Sequence, residues 1–358
     1  MRKRVARAGR DVDTPKLAAA AAATVAAGAG IAAGRVRMER VRRTPTSLAY
    51  RLKSEEEVGE GLLRIAHGRL DHAVGELRGE SDSDQVEAVH EARKDIKKLR
   101  ALLRLTRDQL GGEVYRRENA ELRDVARALG ELRDADVVTE TLDKLTADCP
   151  DLVSAAAAGR LRRALDAERT TPPPGGPTRD SAMEAAAGRL ETVRDRVEDW
   201  PLAGDGWELL AEGMRRSYRR GRRRMRDARR EPTDESLHEW RKRVKDHWYQ
   251  LRLIRCAWPP VLEVAGEEAH RLSELLGDDH DVGVLAARFG DGSGGPASAG
   301  DRARLDEAIE RRRFQLREAA FAGGARLYAE GPAAFERRMA RYWQAQSPRG
   351  PVGDATSA

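Results

Sequence analysis

Two stretches of this 358-residue chain carry one pattern: His90-Glu-Ala-Arg-Lys-Asp-Ile-Lys-Lys-Leu-Arg100 and His238-Glu-Trp-Arg-Lys-Arg-Val-Lys-Asp-His-Trp248. Downstream of the first lies Leu129-Gly-Glu-Leu-Arg-Asp-Ala-Asp-Val137, and downstream of the second lies Leu276-Gly-Asp-Asp-His-Asp-Val-Gly-Val284. The step from His90 to His238 is 148 residues, and the step from Leu129 to Leu276 is 147. Shared composition does not give two ordered matches at nearly one spacing; an internal duplication does.

At about 100° per residue, the first stretch sorts into two faces. His90, Arg93, Lys94, Lys97 and Arg104 share one, and Ile96, Leu99, Leu102 and Leu103 take the other. The second copy behaves alike, with His238, Arg241, Lys242, Lys245 and Arg252 opposite Trp240, Val244, Leu251 and Ile254. A solvated helix face usually alternates its charges at i,i+4. These stripes are of one sign in their central positions, which costs stability unless an anion neutralises them. The plainer reading, a solvated or ion-paired face, stands beside it.

A third basic stripe runs from Arg215 to Arg230, where ten of sixteen residues are Arg. On a helix, Arg215, Arg219, Arg222, Arg223, Arg226 and Arg230 align. Arg suits phosphate because its planar fork donates paired hydrogen bonds and keeps its charge. The matching region of the first half, Leu62 to Arg78, is far less basic.

Composition supports helices throughout. Aromatics are only 4% and charged residues 35%, and Ala, Leu, Arg and Glu dominate, all of them good helix formers. An all-α fold is expected, with two four-helix-bundle-like halves related by pseudo-twofold symmetry. Residues 1–50 read as a basic, Ala-rich leader, flexible or partly helical. Helix is expected from Ser54, whose Ser-Glu-Glu-Glu run suits a helix start. The first half extends over 54–169. A linker at 170–180 contains Thr-Thr-Pro-Pro-Pro-Gly-Gly-Pro-Thr from Thr170 to Thr178, which no helix crosses. The second half covers 181–345, with a flexible loop at Gly290–Gly300, and 346–358 form a disordered tail. Leu17–Gly34 is uncharged and approaches the length of a membrane span. It is nearly all Ala and Gly, so a surface helix is expected there rather than membrane contact.

Several chemistries are disfavoured. His90 and His238 open His-Glu-x-x-Lys, which lacks the second His of a zinc peptidase helix. Asp278-Asp-His-Asp281 offers oxygens to a divalent metal, but Gly277 before it reads as a loop with an Asp capping the next helix. No metal site or cofactor is assigned. No nucleophile–base set, Walker-type loop or Rossmann fingerprint stands out. Cys149 and Cys256 are too few for a disulfide framework and fit a reducing cytoplasm.

The paired His-initiated basic helices, each followed by a Leu-Gly-x-x-x-Asp junction, resemble the CHAD family, the conserved histidine α-helical domain. The resemblance covers residues 54–345. It implies two four-helix bundles, non-enzymatic binding of inorganic polyphosphate by basic helices, and association with polyphosphate granules. It makes His90, Arg93, Lys94, Lys97, His238, Arg241, Lys242 and Lys245 expected ligand contacts. Tyr218-Arg-Arg-Gly-Arg-Arg is similar to the family's basic first helix of the second half. Arg104, Arg252 and the stripe residues Arg219, Arg222, Arg223 and Arg226 complete the expected site. Many relatives carry a CYTH β-barrel, for which residues 1–50 are too short and too Ala-rich. Two other readings stay open: a nucleic-acid-binding protein using Trp240, Trp248 and Tyr249 for stacking, and a metal-dependent phosphohydrolase built on Asp278–Asp281.

Overall fold

The computed structural model describes residues 49–131, 134–169, 178–204, 206–290 and 299–346. Eleven α-helices and two short 3-10 turns, Val197–Asp199 and Arg255–Ala257, make up their regular structure, and no strand occurs among them. The helices are α1 (Val58–Leu77), α2 (Gln85–Leu105), α3 (Arg107–Glu131), α4 (Asp134–Asp148), α5 (Ala155–Arg169) and α6 (Arg179–Asp195). They continue with α7 (Glu208–Arg230), α8 (Asp234–Leu253), α9 (Pro259–Gly290), α10 (Ala299–Leu327) and α11 (Pro332–Gln346). The expected all-helical fold is what the chain adopts.

The two repeat helices start for the same physical reason. Asp84 caps α2, its carboxylate accepting from the N–H groups of Val86 and Glu87, both at 2.9 Å. Thr233 caps α8, its hydroxyl accepting from the Ser236 N–H at 3.2 Å. Each cap satisfies N–H groups that the first turn leaves free. Val89, Ala92, Ile96, Leu99 and Leu103 then bury one face of α2, while Leu237, Trp240, Val244 and Leu251 bury one face of α8.

Packing does not stop at the Pro-rich segment. α1 lies on α2 and α6, α3 on α2 and α6, and α7 on α8 and α11, while α2 contacts both α7 and α8. One large apolar core therefore draws on α1, α2, α3, α6, α7, α8, the first part of α9, the last part of α10 and α11. A smaller core joins α4 and α5 to the end of α9 and the start of α10, through Leu142, Leu161, Leu285 and Ile309.

Two expectations are corrected. Helix α1 begins at Val58 rather than Ser54. The Glu56 carboxylate instead accepts from the Lys53 N–H at 2.6 Å and from Arg64 Nε at 2.9 Å, so the acidic run closes a turn ahead of the helix. Gly277 and Asp278–Asp281 form no loop; they lie inside α9, which runs unbroken from Pro259 to Gly290. The next helix starts only at Ala299, so no Asp of that run caps it. The leader 1–48, most of the Pro-rich linker (170–177), residues 291–298 and the tail 347–358 lie outside the described residues. No helix among the described residues is long and apolar enough to cross a membrane.

Candidate functional site

The basic residues fall into three groups. The first is central. Arg104, on the last turn of α2, donates from Nη1 to Asp246 Oδ1 of α8 at 2.8 Å. Arg243, one turn before Asp246, places Nη1 3.0 Å from its Oδ2. Arg216 of α7 donates to the Arg104 carbonyl at 3.0 Å and pairs with Asp108. Arg100 and Arg220 complete the group. Arg100 is held by Asn119 of α3, at 3.2 Å from Nε to Oδ1. Burial pulls the Arg100 guanidinium down to about 10, and the charge of Arg104 adds to the shift. Arg220 keeps much of its surface open to solvent. Its guanidinium is still shifted down, first by partial desolvation and then by Arg243 and Arg104. Cations on three helices thus crowd one buried carboxylate, Asp246.

The second group is the His-initiated end of each repeat helix, where the two copies match in detail. Arg93 lies over Gly130: a Cβ built there would stand 2.6 Å from Arg93 Nη1. Arg241 lies over Gly277, with the corresponding distance 2.8 Å to Nη2. The Leu-Gly part of the repeat is thereby explained, since only a residue without a side chain leaves room for the guanidinium. Lys94 and Lys242 each meet the Glu three residues earlier, Glu91 and Glu239, at 2.6 Å. Those lysines carry the local ion pair of an ordinary helix face. His90, Lys97 and Lys245 are half-buried on the same helices.

His238 sits beside His280 of α9, ring centroids 4.6 Å apart. Burial, then the charges of Lys242, His280 and Arg241, push it down to about 4. Near neutral pH it is an uncharged imidazole. Its Nδ1 and Arg241 Nε are buried without a hydrogen-bond partner among the described residues.

Contact order along α2 and α8 separates these ends. Arg104 is level with Asp246, whereas Lys98, earlier on α2, is level with Tyr249, later on α8: Tyr50 donates to the Lys98 carbonyl and packs edge-on against Tyr249 at 6.0 Å. The helices therefore run past each other in opposite directions. His90 lies 14 residues before Arg104, and His238 lies 8 residues before Asp246. At 1.5 Å per residue those are roughly 21 Å and 12 Å of helix, leading away from the crossing. The inner ends of the stripes meet, and the histidines lie at opposite ends. Arg252, the repeat counterpart of Arg104, stacks on Trp248 at 5.3 Å, beside Tyr249, Tyr50 and Arg69, not on the Asp246 carboxylate.

The third group is the ridge of α7. Arg219, Arg223 and Arg226 are exposed and Arg222 is half-buried. Arg215 and Arg219 approach Glu212 at 3.8 and 4.0 Å. Arg222, Arg223 and Arg226 make no ion pair among the described residues.

One carboxylate of the acidic run of α9 is tied into the helix packing. Asp279 is buried and accepts from Arg313 and Arg317 of α10 at 3.1 and 2.9 Å. No group of three potential metal ligands gathers among the described residues.

A family model described as the CHAD domain matches residues 64–290. The chain belongs to the CHAD domain family. Two uncharacterized proteins of Mycobacterium tuberculosis, from strains CDC 1551 and H37Rv, are each 30% identical to it over 212 residues, or 56% of this chain. The match spans 39% of the length of those relatives. The crystal structure of the CHAD domain from the plant Ricinus communis superposes with a TM-score of 0.45 at 18% identity, covering 79% of this chain and 96% of that one.

In this CHAD chain four arginines of the central group, Arg100, Arg216, Arg220 and Arg243, lie outside the site residues expected from the sequence. Arg100 was legible, since 93, 97, 100 and 104 keep the i, i+4, i+7 step of one helix face. Arg243 was not, because it lies at the edge of the apolar face of α8, away from the basic stripe, and meets Arg104 only through the crossing of α2 and α8.

Proposed function

We propose that this chain binds inorganic polyphosphate without turning it over, and that this binding places it on polyphosphate granules. The observation that carries the reading is the surplus of arginines at the centre: Arg100, Arg104, Arg220 and Arg243, from three helices, around the single carboxylate of Asp246. Guanidinium groups in a partly desolvated setting attract an anion more strongly than the same charges in water. The ridge of α7 extends the basic surface with Arg219, Arg222, Arg223 and Arg226, and the ends at Arg93 and Arg241 add further donors. A flexible chain with a charge on every phosphate can follow such separated patches. A stiff duplex meets only one outer face.

The nucleic-acid reading loses its stacking platform. Trp240 and Tyr249 are buried, and Trp248 is packed against Tyr249 and His270, with ring centroids 4.6 and 4.0 Å away. Bases would find no open aromatic face among those three.

The test is a titration of the full chain with long-chain polyphosphate and with duplex DNA, at equal phosphate concentration and equal salt. Tighter binding to polyphosphate is expected, with both affinities falling as salt rises because counterion release drives each. Equal affinity, or tighter binding to DNA, overturns the reading.

A further inference from the structure

The two repeat helices treat their buried carboxylates differently. Asp95 and Lys98 of α2 stand where α8 has Arg243 and Asp246, so the i,i+3 ion pair is reversed between the copies. Asp95 is fully engaged. Its Oδ1 accepts from Arg69 at 3.1 Å and Lys98 at 2.6 Å, and its Oδ2 lies 2.6 Å from His72 Nδ1. Burial alone would push this carboxyl up, but the His72 hydrogen bond and the charges of Lys98 and Arg69 bring it to about 2.

Asp246 is not satisfied in this way. Oδ1 accepts from Arg104, while Oδ2 approaches Arg243 without the geometry of a hydrogen bond. Arg243 is only 9% exposed, and its Nε has no hydrogen-bond partner among the described residues. Arg100 and Arg220 stand close enough to feel the same charges. A buried donor left unpaired is costly, and one carboxylate cannot meet the many N–H donors of four guanidinium groups.

We propose that Asp246 is a resident counter-ion: it holds Arg104 and Arg243 together in the folded chain, and an incoming tetrahedral oxyanion takes over as their partner. The natural ligand follows from the polyphosphate reading above, but the chemistry is that of any oxyanion with several acceptors. Removing the charge of Asp246 leaves the arginines with a greater demand for an external anion. An anion that binds only the folded chain then stabilises the variant more than the parent.

The experiment is thermal denaturation of the full chain, parent and Asp246→Asn, with increasing inorganic phosphate. Phosphate also acts generally on burial, and that part is common to both proteins. Without phosphate the variant should melt lower. With phosphate its melting temperature should rise by about twice as much as the parent's. An equal rise would make Asp246 a purely structural residue, and a smaller rise would make it an anchor that the anion needs; either overturns the proposal. If Asp246→Asn does not fold, Arg104→Gln supplies the converse test. It removes one cation and leaves Asp246 with Arg243, so the phosphate-induced rise should shrink, and an unchanged rise overturns the proposal. The polyphosphate titration is decided separately: a parent that ignores long chains while Asp246→Asn responds to phosphate sinks that reading and not this one.

Discussion

Arg104 and Asp246 are 142 residues apart in the chain and 2.8 Å apart in the fold. Their side chains are 16% and 7% exposed, so the pair ties α2 to α8 in a largely dehydrated setting. Breaking such a pair from one side strands a buried charge. Asp246→Ala strands both Arg104 and Arg243 and should cost about 3 kcal/mol in a urea melt. Arg104→Ala should cost less, because Arg243 remains to meet the carboxylate.

Gly130 and Gly277 separate binding from stability. A methyl group at either position displaces only the end of a flexible side chain, Arg93 or Arg241. Ala also favours a helix over Gly by about 1 kcal/mol. Gly130→Ala and Gly277→Ala should therefore melt within a few degrees of the parent and bind polyphosphate more weakly. Gly213→Ala is the contrast. Its methyl group would collide with the Leu105 carbonyl oxygen, where α7 crosses the end of α2, and neither backbone can yield. A loss of about 2 kcal/mol is expected, read by the same melt.

Charge reversal on the ridge of α7 should act on the ligand and not on the fold. Arg222 and Arg226 make no ion pair among the described residues, and Arg226 is exposed. Arg222→Glu with Arg226→Glu turns the repulsions of Arg222 with Arg219 and of Arg226 with Arg230 into attractions, so helicity by circular dichroism should be kept. Polyphosphate affinity should fall, and the slope of log affinity against log salt should flatten by about 2 if both arginines meet phosphates. An unchanged affinity would make the ridge a solvated face.

Acid should destabilise the chain through two imidazoles, the half-buried His238 and the buried His247. His238 and His247 are lowered from 6.5 to about 4 and about 3, each by burial first, then by nearby cations. Below pH 6.5 the unfolded chain binds protons that the folded chain refuses. The stability linked to these groups is therefore complete above pH 6.5 and is lost as pH falls toward 4 and then 3. His247 packs among Tyr218, Tyr328 and Phe335, with ring centroids 5.5, 6.1 and 5.2 Å away. His247→Phe keeps a ring there without the titrating nitrogen, so its melting temperature should fall less steeply between pH 6.5 and 4. A parallel fall in both proteins would remove His247 as a source of the acid sensitivity.

The sequence by itself determined the helices and the duplication. Local patterning and composition specified α2 and α8 along with their faces, because a 3.6-residue period acts within one helix and needs no partner. The matched Leu-Gly segments were visible as a repeat, although their reason, room for Arg93 and Arg241, was not. Tertiary structure decided the rest. It turned Ser54–Glu57 into a turn, since Glu56 accepts from the Lys53 backbone N–H and from Arg64 rather than capping α1. It carried α9 straight through Gly277, since Asp279 gains two arginines of α10 that are distant in sequence. It also placed Arg243 and Arg220 beside Arg104 and set His90 and His238 at opposite ends of the crossing. Charge convergence of this kind depends on how helices cross, and a crossing is fixed by apolar contacts between segments far apart in the chain, which no single-helix pattern encodes.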